Sequence, residues 1–363
     1  MPNNANISSI QAIPFDVPLT AEFRIASSSL ARITNVAVKL ALENGIVGWG
    51  ETSILQPLTL EDQGLAIDAI QASQDFLAAM PVTAWRRISQ RLLAQFPDYP
   101  SVRAGIEMAV FDALAKHCGV PLFQYFGGAG SRLETDMTIP ICSPDDAQAL
   151  AANYRSQGFK TLKIKVGQDA DQDCARLAAI RAGYPDCRLL LDGNGGFNAD
   201  QAIELIERLH GLGIDPALLE QPVPREELAG LRRVHEQTGV AIAADESCCS
   251  PQDALRIVEQ CAAQVINIKL VKSGVVQALD IAAIARSAGL GLMIGGMVET
   301  RLAMGFSAHF AAGLGGFDWI DLDTPLLLEQ DPVLGGYTAQ GPIYDLDTGG
   351  TGHGGSLKAF GGS

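Results

Sequence analysis

From about residue 130 onward the chain repeats one simple unit, a short apolar run rich in β-branched residues followed by a longer stretch with helical periodicity. The unit recurs every ~24 to 29 residues, eight times in all, which favours a closed barrel of parallel strands over an open doubly wound sheet. Both faces of each run are apolar, as expected for parallel strands that helices cover. The eight runs are Met137–Ile141, Thr161–Val166, Leu189–Leu191, Ala217–Leu219, Ala241–Ala243, Val265–Leu270, Gly291–Ile294 and Trp319–Leu322.

The part of the chain before these repeats follows a different pattern. Residues 7–50 alternate as strands do and contain a hairpin turn, and three amphipathic helical stretches follow between residues 59 and 116. Strands followed by helices indicate an α+β domain. No full helix follows the eighth run, so the barrel is expected to have the modified (β/α)7β form of the (β/α)8 fold. The predicted parts are an α+β capping domain (1–126), the barrel (127–328) and a Gly-rich C-terminal segment (329–363) that packs back on the capping domain.

Charge and cysteine content exclude several classes of partner. The chain has 41 acidic and 26 basic residues, a net charge of −15, which argues against binding to nucleic acid or to an anionic membrane. The seven cysteines are odd in number and lack CxxC spacing, as expected for free thiols in a reducing compartment. The N-terminus lacks the pattern of a signal peptide, and no apolar run reaches the ~20 residues that span a bilayer. We therefore expect a cytoplasmic protein with a small-molecule partner.

Acidic residues stand where several of the predicted strands end, which is where barrels carry their active sites. Asp192, Glu220 and Asp245 follow the third, fourth and fifth runs, so their side chains would converge. Crowded bare carboxylates raise one another's pKa, and a divalent cation removes that conflict. Ligation by oxygen alone, without His or Cys, favours one Mg²⁺ per subunit, with Mn²⁺ as the alternative.

Three of the chain's eight lysines lie within apolar runs, where burial of an ammonium group is costly. Lys163 and Lys165 are two residues apart in the second run and therefore point to the same side. Lys269 lies in the sixth run, on the opposite side of an eight-stranded ring. Burial, neighbouring cations and a metal should lower the pKa of such a lysine toward neutrality and make it a usable general base. A substrate held at the metal would then have a lysine on each face. A Schiff-base aldolase also carries a lysine on its sixth strand, but it has no use for three metal carboxylates.

Together these motifs resemble those of the enolase superfamily, in particular its muconate-lactonizing subgroup. The segments VGWGE at 47–51, RAGIEMAVFDAL at 103–114 and GGMVET at 295–300 extend the resemblance over nearly the whole chain. The resemblance implies a modified TIM barrel with an α+β N-terminal capping domain and a Mg²⁺-dependent enzyme. The subgroup includes cycloisomerases, o-succinylbenzoate synthases and amino-acid racemases, so several reactions stay open.

Asp321 and Asp323, at the end of the eighth run, bear on the choice among these reactions. Their spacing places two carboxylates on one face, an arrangement suited to a substrate ammonium group. The motif resembles that of dipeptide epimerases of the L-Ala-D/L-Glu epimerase type, whereas a cycloisomerase substrate has no ammonium group. We therefore hypothesise a dipeptide epimerase, which is an isomerase. The alternatives on the same scaffold are an o-succinylbenzoate synthase, an N-succinylamino acid racemase and a muconate cycloisomerase.

The resemblance also implies a role for each matching residue. The metal on the three strand-end carboxylates would hold the C-terminal carboxylate of a dipeptide. Lys165 and Lys269 would be the acid/base catalysts that move the α-proton of the C-terminal residue through an enediolate, while Lys163 contacts the carboxylate and depresses the pKa of Lys165. The implied substrate contacts are Thr138, Lys163, Met297, Asp321 and Asp323, with Asn194, Glu246 and Glu299 as supporting groups behind them.

Substrate choice is expected from two loops of the capping domain, around residues 18–32 and 49–56, which would close over the barrel mouth. Family members that act on an acidic second residue carry a cation in the first loop. Arg24 and Arg32 are candidates for it, but Ser27–Ser29 occupies the place where the charge is expected. Acidic and uncharged second residues both stay open. Cys248 and Cys249 either line the pocket or serve packing, and we expect a homo-oligomer.

Overall fold

The computed structural model describes residues 5–24, 29–55 and 59–358. A three-stranded antiparallel sheet comes first, and its second and third strands form the expected hairpin. The helices that follow match the three predicted amphipathic stretches, with one further short helix. These elements are β1 (Ile7–Arg24), β2 (Ser29–Leu42), β3 (Val47–Thr52), α1 (Gln63–Leu77), α2 (Trp85–Gln95), α3 (Pro100–Cys118) and α4 (Leu122–Tyr125).

Helix α3 is the central element of this first part, and residues on all its faces are buried. It lies unusually close to β3 because glycines stand at the contact. A Cβ atom on Gly50 would lie 2.1 Å from the carbonyl oxygen of Gly105, so no larger residue fits there without a shift of the helix. The VGWGE segment is thus explained by packing against α3.

Eight parallel strands in sequence order form the largest sheet. Asp136 N donates a hydrogen bond of 2.9 Å to Ile320 O, which joins the last strand to the start of the first. All eight predicted runs contribute to these strands, and the prediction of a TIM barrel with an N-terminal capping domain is confirmed. The strands are β5 (Met137–Ile139), β6 (Thr161–Lys165), β7 (Arg188–Asp192), β8 (Leu218–Glu220), β9 (Ile242–Ala244), β10 (Val265–Lys269), β11 (Gly291–Gly295) and β12 (Phe317–Ile320), preceded by the short β4 (Arg132–Glu134).

Helices follow the first seven barrel strands, and side-chain N-caps start several of them. Among the described residues, the one helical element after β12 is a 3-10 turn, Thr324–Leu327, as the modified (β/α)7β form requires. The helices are α5 (Pro144–Ser156), α6 (Ala170–Gly183), α7 (Ala199–Gly211), α8 (Leu228–Thr238), α9 (Pro251–Glu259), α10 (Leu270–Ser273), α11 (Val275–Ser287) and α12 (Arg301–Leu314).

Inside the barrel, apolar side chains fill the lower layers and leave the carboxyl ends of the strands to charged groups. Burial of apolar area is the main stabilising contribution there. This inner cluster consists of Leu190, Leu218, Ala243, Val265, Met293 and Trp319.

The C-terminal segment contacts the capping domain. Val333 and Leu357 pack in one cluster with Phe15 and Ile33. The predicted division at residues 126 and 328 stays a prediction. The strands of this segment are β13 (Val333–Gly335), β14 (Thr338–Gln340), β15 (Ile343–Asp345) and β16 (Gly355–Leu357).

The cysteines and the helices relate to two expectations, a reducing compartment and the absence of a membrane span. All seven cysteines are free. Among the described residues, no helix combines the length and the apolar character needed to cross a membrane.

Candidate active site

A cavity of about 290 Å³ lies where the carboxyl ends of the barrel strands meet the capping domain. Phe23 and Leu55 cover it from the capping side. Thr138 and Met297, two predicted substrate contacts, lie on its wall. Cys249 also lines it, whereas the side chain of its neighbour Cys248 is buried.

The three predicted metal ligands stand at the ends of adjacent strands. Asp192 and Glu220 are in register on β7 and β8, and Asp245 directly follows β9. All three are at most 2% exposed. Each of them faces a lysine. Lys163 Nζ lies 3.0 Å from Asp192 Oδ2 and 2.7 Å from Glu220 Oε2, and Lys269 Nζ lies 2.7 Å from Asp245 Oδ2.

The predicted catalytic lysines line the same cavity from opposite strands. Lys165 ends β6, and its Nζ lies 2.5 Å from Asp192 Oδ2. Lys163 and Lys165 both point inward, as their spacing predicted. Lys269 ends β10, four places around the eight-stranded ring.

Neighbouring carboxylates determine the direction of the pKa shift at two of the lysines. Burial alone would lower the pKa of Lys269, but Asp245 and Glu220 raise it well above its usual value. Burial is outweighed in the same way at Lys163, where Asp192 is the strongest opposing charge. The carboxylates nearest to these two lysines thus raise their pKa, and the lowering that is expected with a metal bound on those carboxylates stays a prediction.

Two of the carboxylates differ in their ease of ionisation. Burial and the charge of Asp192 raise the pKa of Glu220 to about 8. Burial would also raise the pKa of Asp192, but Lys163 and Lys165 hold it below its usual value. Glu220 is therefore the ligand candidate with the least compensated negative charge.

The predicted ammonium-binding pair follows β12. Asp321 lines the cavity, whereas Asp323 is fully buried and does not. Asp321 Oδ2 lies 2.7 Å from Lys163 Nζ, and Asp323 Oδ2 accepts a 2.6 Å hydrogen bond from Thr138 N. Among the residues that the structure describes, the second oxygen of Asp323, Oδ1, has no hydrogen-bond partner. Burial and the charge of Asp321 raise the pKa of Asp323 to about 6.

A third acid, Asp136, lies against this pair and was not foreseen from the sequence. One carboxylate oxygen from each of Asp136, Asp321 and Asp323 lies within 4.8 Å of the others. Both Asp136 oxygens are buried and have no hydrogen-bond partner in the described part of the chain. Asp136 does not line the catalytic cavity; it borders a separate pocket at the opposite end of the barrel. It thus lies beneath the ammonium-binding pair.

Comparison with known proteins supplies the family. The N-terminal domain model of mandelate racemase / muconate lactonizing enzyme matches residues 9–127, and the enolase C-terminal domain-like model matches residues 146–359. This chain belongs to the enolase superfamily. Its muconate-lactonizing branch, which the sequence motifs indicated, is confirmed.

Individual members of this superfamily are closely similar to the chain. An L-Ala-D/L-amino acid epimerase from Populus trichocarpa is 50% identical over 350 residues, 95% of this chain and 83% of the relative. An aromatic dipeptide epimerase from Herpetosiphon aurantiacus is 43% identical, covering 94% of this chain and 96% of the relative. The structure of a dipeptide epimerase from Enterococcus faecalis, complexed with Mg and L-Leu-L-Tyr, matches with a TM-score of 0.93 at 32% identity and covers 97% of this chain and 99% of that one. This enolase-superfamily member is accordingly an isomerase.

Supporting groups hold the strand-end acids of this superfamily member in place. Asn194 N donates to Asp192 Oδ1 at 3.1 Å, and Asn194 Nδ2 donates to Glu246 Oε1 at 3.2 Å. Asn194, in the loop after β7, has a left-handed backbone conformation with a φ of +43°, which is uncommon for a residue other than glycine. Glu299 Oε2 accepts from Met297 N at 3.3 Å and thereby fixes the loop that carries Met297.

Lys272 is a second buried charged residue near the site that was not predicted from the sequence. Its Nζ lies 2.6 Å from Asp245 Oδ1, and its side chain is 8% exposed. The only sequence clue is its position one helical turn after Lys269. The sequence around such a lysine does not indicate whether its side chain is buried or exposed to solvent.

Part of the expected specificity loop can be placed. Arg32 forms an ion pair of 3.4 Å with Asp16, and both side chains are solvent-exposed, so its charge is already used at the surface. Ser29 begins β2. The side chain of Arg24, together with Ser27 and Ser28, lies outside the described residues, as does Gln56 of the second loop.

Proposed function

We propose that this chain is a Mg²⁺-dependent dipeptide epimerase that transfers the α-proton of the C-terminal residue from one face of the carbon to the other. The observation that carries the proposal is that Lys165 and Lys269 line one cavity from opposite strands of the barrel. A carbon held between them presents one face to each lysine. One lysine removes the proton and the other delivers one to the opposite face, so the product is the epimer.

Asp192, Glu220 and Asp245 would hold the Mg²⁺ ion, with Mn²⁺ as a possible substitute. Buried, oxygen-only ligands suit these ions, and the raised pKa of Glu220 reflects negative charge that a cation would relieve. When bound, Mg²⁺ would polarise the substrate carboxylate and offset the negative charge that develops there as the proton leaves. Lys163 reaches the same carboxylates and would add a further positive charge beside the substrate carboxylate.

The dipeptide's ammonium group would bind at Asp321 and Asp323. Asp321, which lines the cavity, and the buried Asp323 behind it place two carboxylates at this wall, which suits an ammonium donor. The names of the relatives, which are epimerases, favour an epimerase over a cycloisomerase or an N-succinylamino acid racemase.

We further propose an apolar second residue in the dipeptide. Phe23 and Leu55 form the cover of the cavity, and Met297 and Val298 continue that apolar surface on the barrel side. Arg32, one candidate cation for an acidic second residue, is engaged with Asp16 at the surface. The name of the Herpetosiphon relative, an aromatic dipeptide epimerase, points in the same direction.

Deuterium incorporation tests the proposed reaction. The enzyme is incubated with a set of L,L-dipeptides in D₂O with Mg²⁺, and ¹H NMR follows the α-proton of the C-terminal residue. We expect exchange and epimerisation, faster with L-Ala-L-Phe than with L-Ala-L-Glu. Absence of exchange with every dipeptide would refute the epimerase, and turnover of N-succinylamino acids in a parallel assay would support that alternative.

We also propose a cellular compartment for the enzyme. Its seven free thiols support a reducing, cytoplasmic compartment. A homo-oligomer stays a prediction, and size-exclusion chromatography with light scattering measures it directly.

A further inference from the structure

Lys272 lies at the edge of the catalytic cavity with all of its hydrogen-bonding capacity used inside the protein. Its Nζ lies 2.6 Å from Asp245 Oδ1, 2.5 Å from the Asp245 carbonyl oxygen and 3.1 Å from the Asn267 carbonyl oxygen. An ammonium group has three N–H donors, and these three acceptors occupy them. Lys272 is therefore poorly placed to exchange protons with a substrate.

The three acceptors come from two neighbouring strands. Asp245 directly follows β9, while Asn267 lies within β10, the strand that ends in Lys269. Lys272 itself belongs to α10, which begins immediately after Lys269. The ammonium group thus fixes the carboxylate of one strand end relative to the strand that presents a catalytic lysine.

The two oxygens of Asp245 consequently have different surroundings. Oδ1 is held by Lys272, whereas Oδ2 faces the cavity-lining Lys269 at 2.7 Å. The backbone of Asp245 is held as well, because its N–H donates to Gln221 Oε1 at 3.0 Å. Asp245 is therefore held both at its backbone and at its side chain, and these contacts restrain rotation of the carboxylate.

We propose that Lys272 is a positioning residue that fixes Asp245 so that Oδ2 is the oxygen offered to a divalent cation. It thereby sets the affinity of the Mg²⁺ site. This inference rests on the proposed function, because it takes Asp245 to be a metal ligand. Loss of a group that orients a metal ligand typically costs about 10- to 100-fold in metal affinity or activity.

Isothermal titration calorimetry with MgCl₂, on enzyme freed of metal by chelation, tests the inference without relying on turnover. We expect Lys272→Met to raise the Mg²⁺ dissociation constant about 10- to 100-fold. The matched control is Lys160→Met, since Lys160 also pairs with a carboxylate, Glu134 at 2.9 Å, but is 74% exposed. The control should bind Mg²⁺ as the wild type does. Because Lys272 acts on metal binding, saturating Mg²⁺ should restore most of the kcat of Lys272→Met.

The other outcomes separate the inference from the proposed function. A folded Lys272→Met enzyme with wild-type Mg²⁺ affinity would overturn the inference, even if its Tm is lowered. If Lys272→Met does not fold, Lys272→Arg serves instead. It keeps the charge, but its planar guanidinium group does not reproduce the three contacts, so weaker Mg²⁺ binding is again expected. Unchanged binding by Lys272→Arg would then overturn the inference. A wild-type enzyme that binds no Mg²⁺, or whose Mg²⁺ binding survives Asp245→Asn, would instead overturn the assigned metal site.

Discussion

Lys165 and Lys269 face each other across the barrel from strands four places apart in a ring of eight. They are 7% and 6% exposed, and both line the same cavity. A substrate carbon between them meets one lysine on each face. The two lysines should therefore be equally necessary for epimerisation but unequal toward each epimer of the substrate.

Replacement of either lysine tests this division of labour. Lys165→Ala and Lys269→Ala should each lose epimerisation by about 10²- to 10⁴-fold, because general acid–base catalysis contributes about that much. Each variant should still exchange the α-proton of one epimer, the one whose proton faces the remaining lysine. ¹H NMR in D₂O, started separately from the L,L- and L,D-dipeptide, measures this. The exposed Lys160→Ala serves as the control. Equal loss of exchange from both epimers in both variants would contradict a two-base arrangement.

Removal of the metal should abolish the reaction reversibly. Chelation with EDTA should stop exchange, and Mg²⁺ should restore it. At a Mg²⁺ concentration of about 100 times the dissociation constant, binding should stabilise the fold by about 2.7 kcal/mol. Thermal unfolding with and without Mg²⁺ measures that gain. Asp192→Asn should largely remove it, whereas Asp171→Asn, a change at a side chain that is 86% exposed, should keep it. Full activity in excess EDTA would contradict the metal assignment.

The strand periodicity made much of this site predictable. Residues at strand ends converge in a barrel, so the order of the runs was enough to group the acids after the third, fourth and fifth runs with the lysines in the second and sixth. Their charges could be counted as well. Which lysine pairs with which carboxylate could not be predicted, because that depends on side-chain geometry; Lys269 Nζ, for example, lies 2.7 Å from Asp245 Oδ2.

The two missed residues show the limit of the same argument. Asp136 precedes the first run and joins the interior only because ring closure pairs its N–H with Ile320 O. Lys272 lies in a helix of four residues, too short for periodicity to indicate which side is buried. Both positions follow from closure and loop geometry, which local sequence does not encode.

Asp323→Asn tests the ammonium site. Asparagine keeps an acceptor for the Thr138 N–H but loses the charge that would face the ammonium group. A charge-assisted hydrogen bond contributes about 1.5 to 3 kcal/mol, so KM for a dipeptide should rise about 10- to 150-fold. Steady-state kinetics on L-Ala-L-Phe and its N-acetyl derivative measure the effect. The N-acetyl compound, which has no ammonium group, should be affected much less. An equal change for both substrates would contradict recognition of the ammonium group by Asp323.

Asp136 should make the fold sensitive to alkaline pH. Burial, with the charges of Asp321 and Asp323, raises the pKa of Asp136 well above its usual value. The unfolded chain releases this proton near pH 4, whereas the folded chain keeps it to higher pH. Between those two pKa values the native state binds more protons, so stability falls as the pH rises, by at most about 1.4 kcal/mol per pH unit. Asp136→Asn mimics the protonated acid and removes this loss. Its Tm relative to wild type should therefore increase as the pH rises from 5 to 8. Asp186→Asn, at a side chain that is 78% exposed, should show no such trend. A Tm difference for Asp136→Asn that stays constant over this range would show that the carboxyl group is not held protonated in the fold.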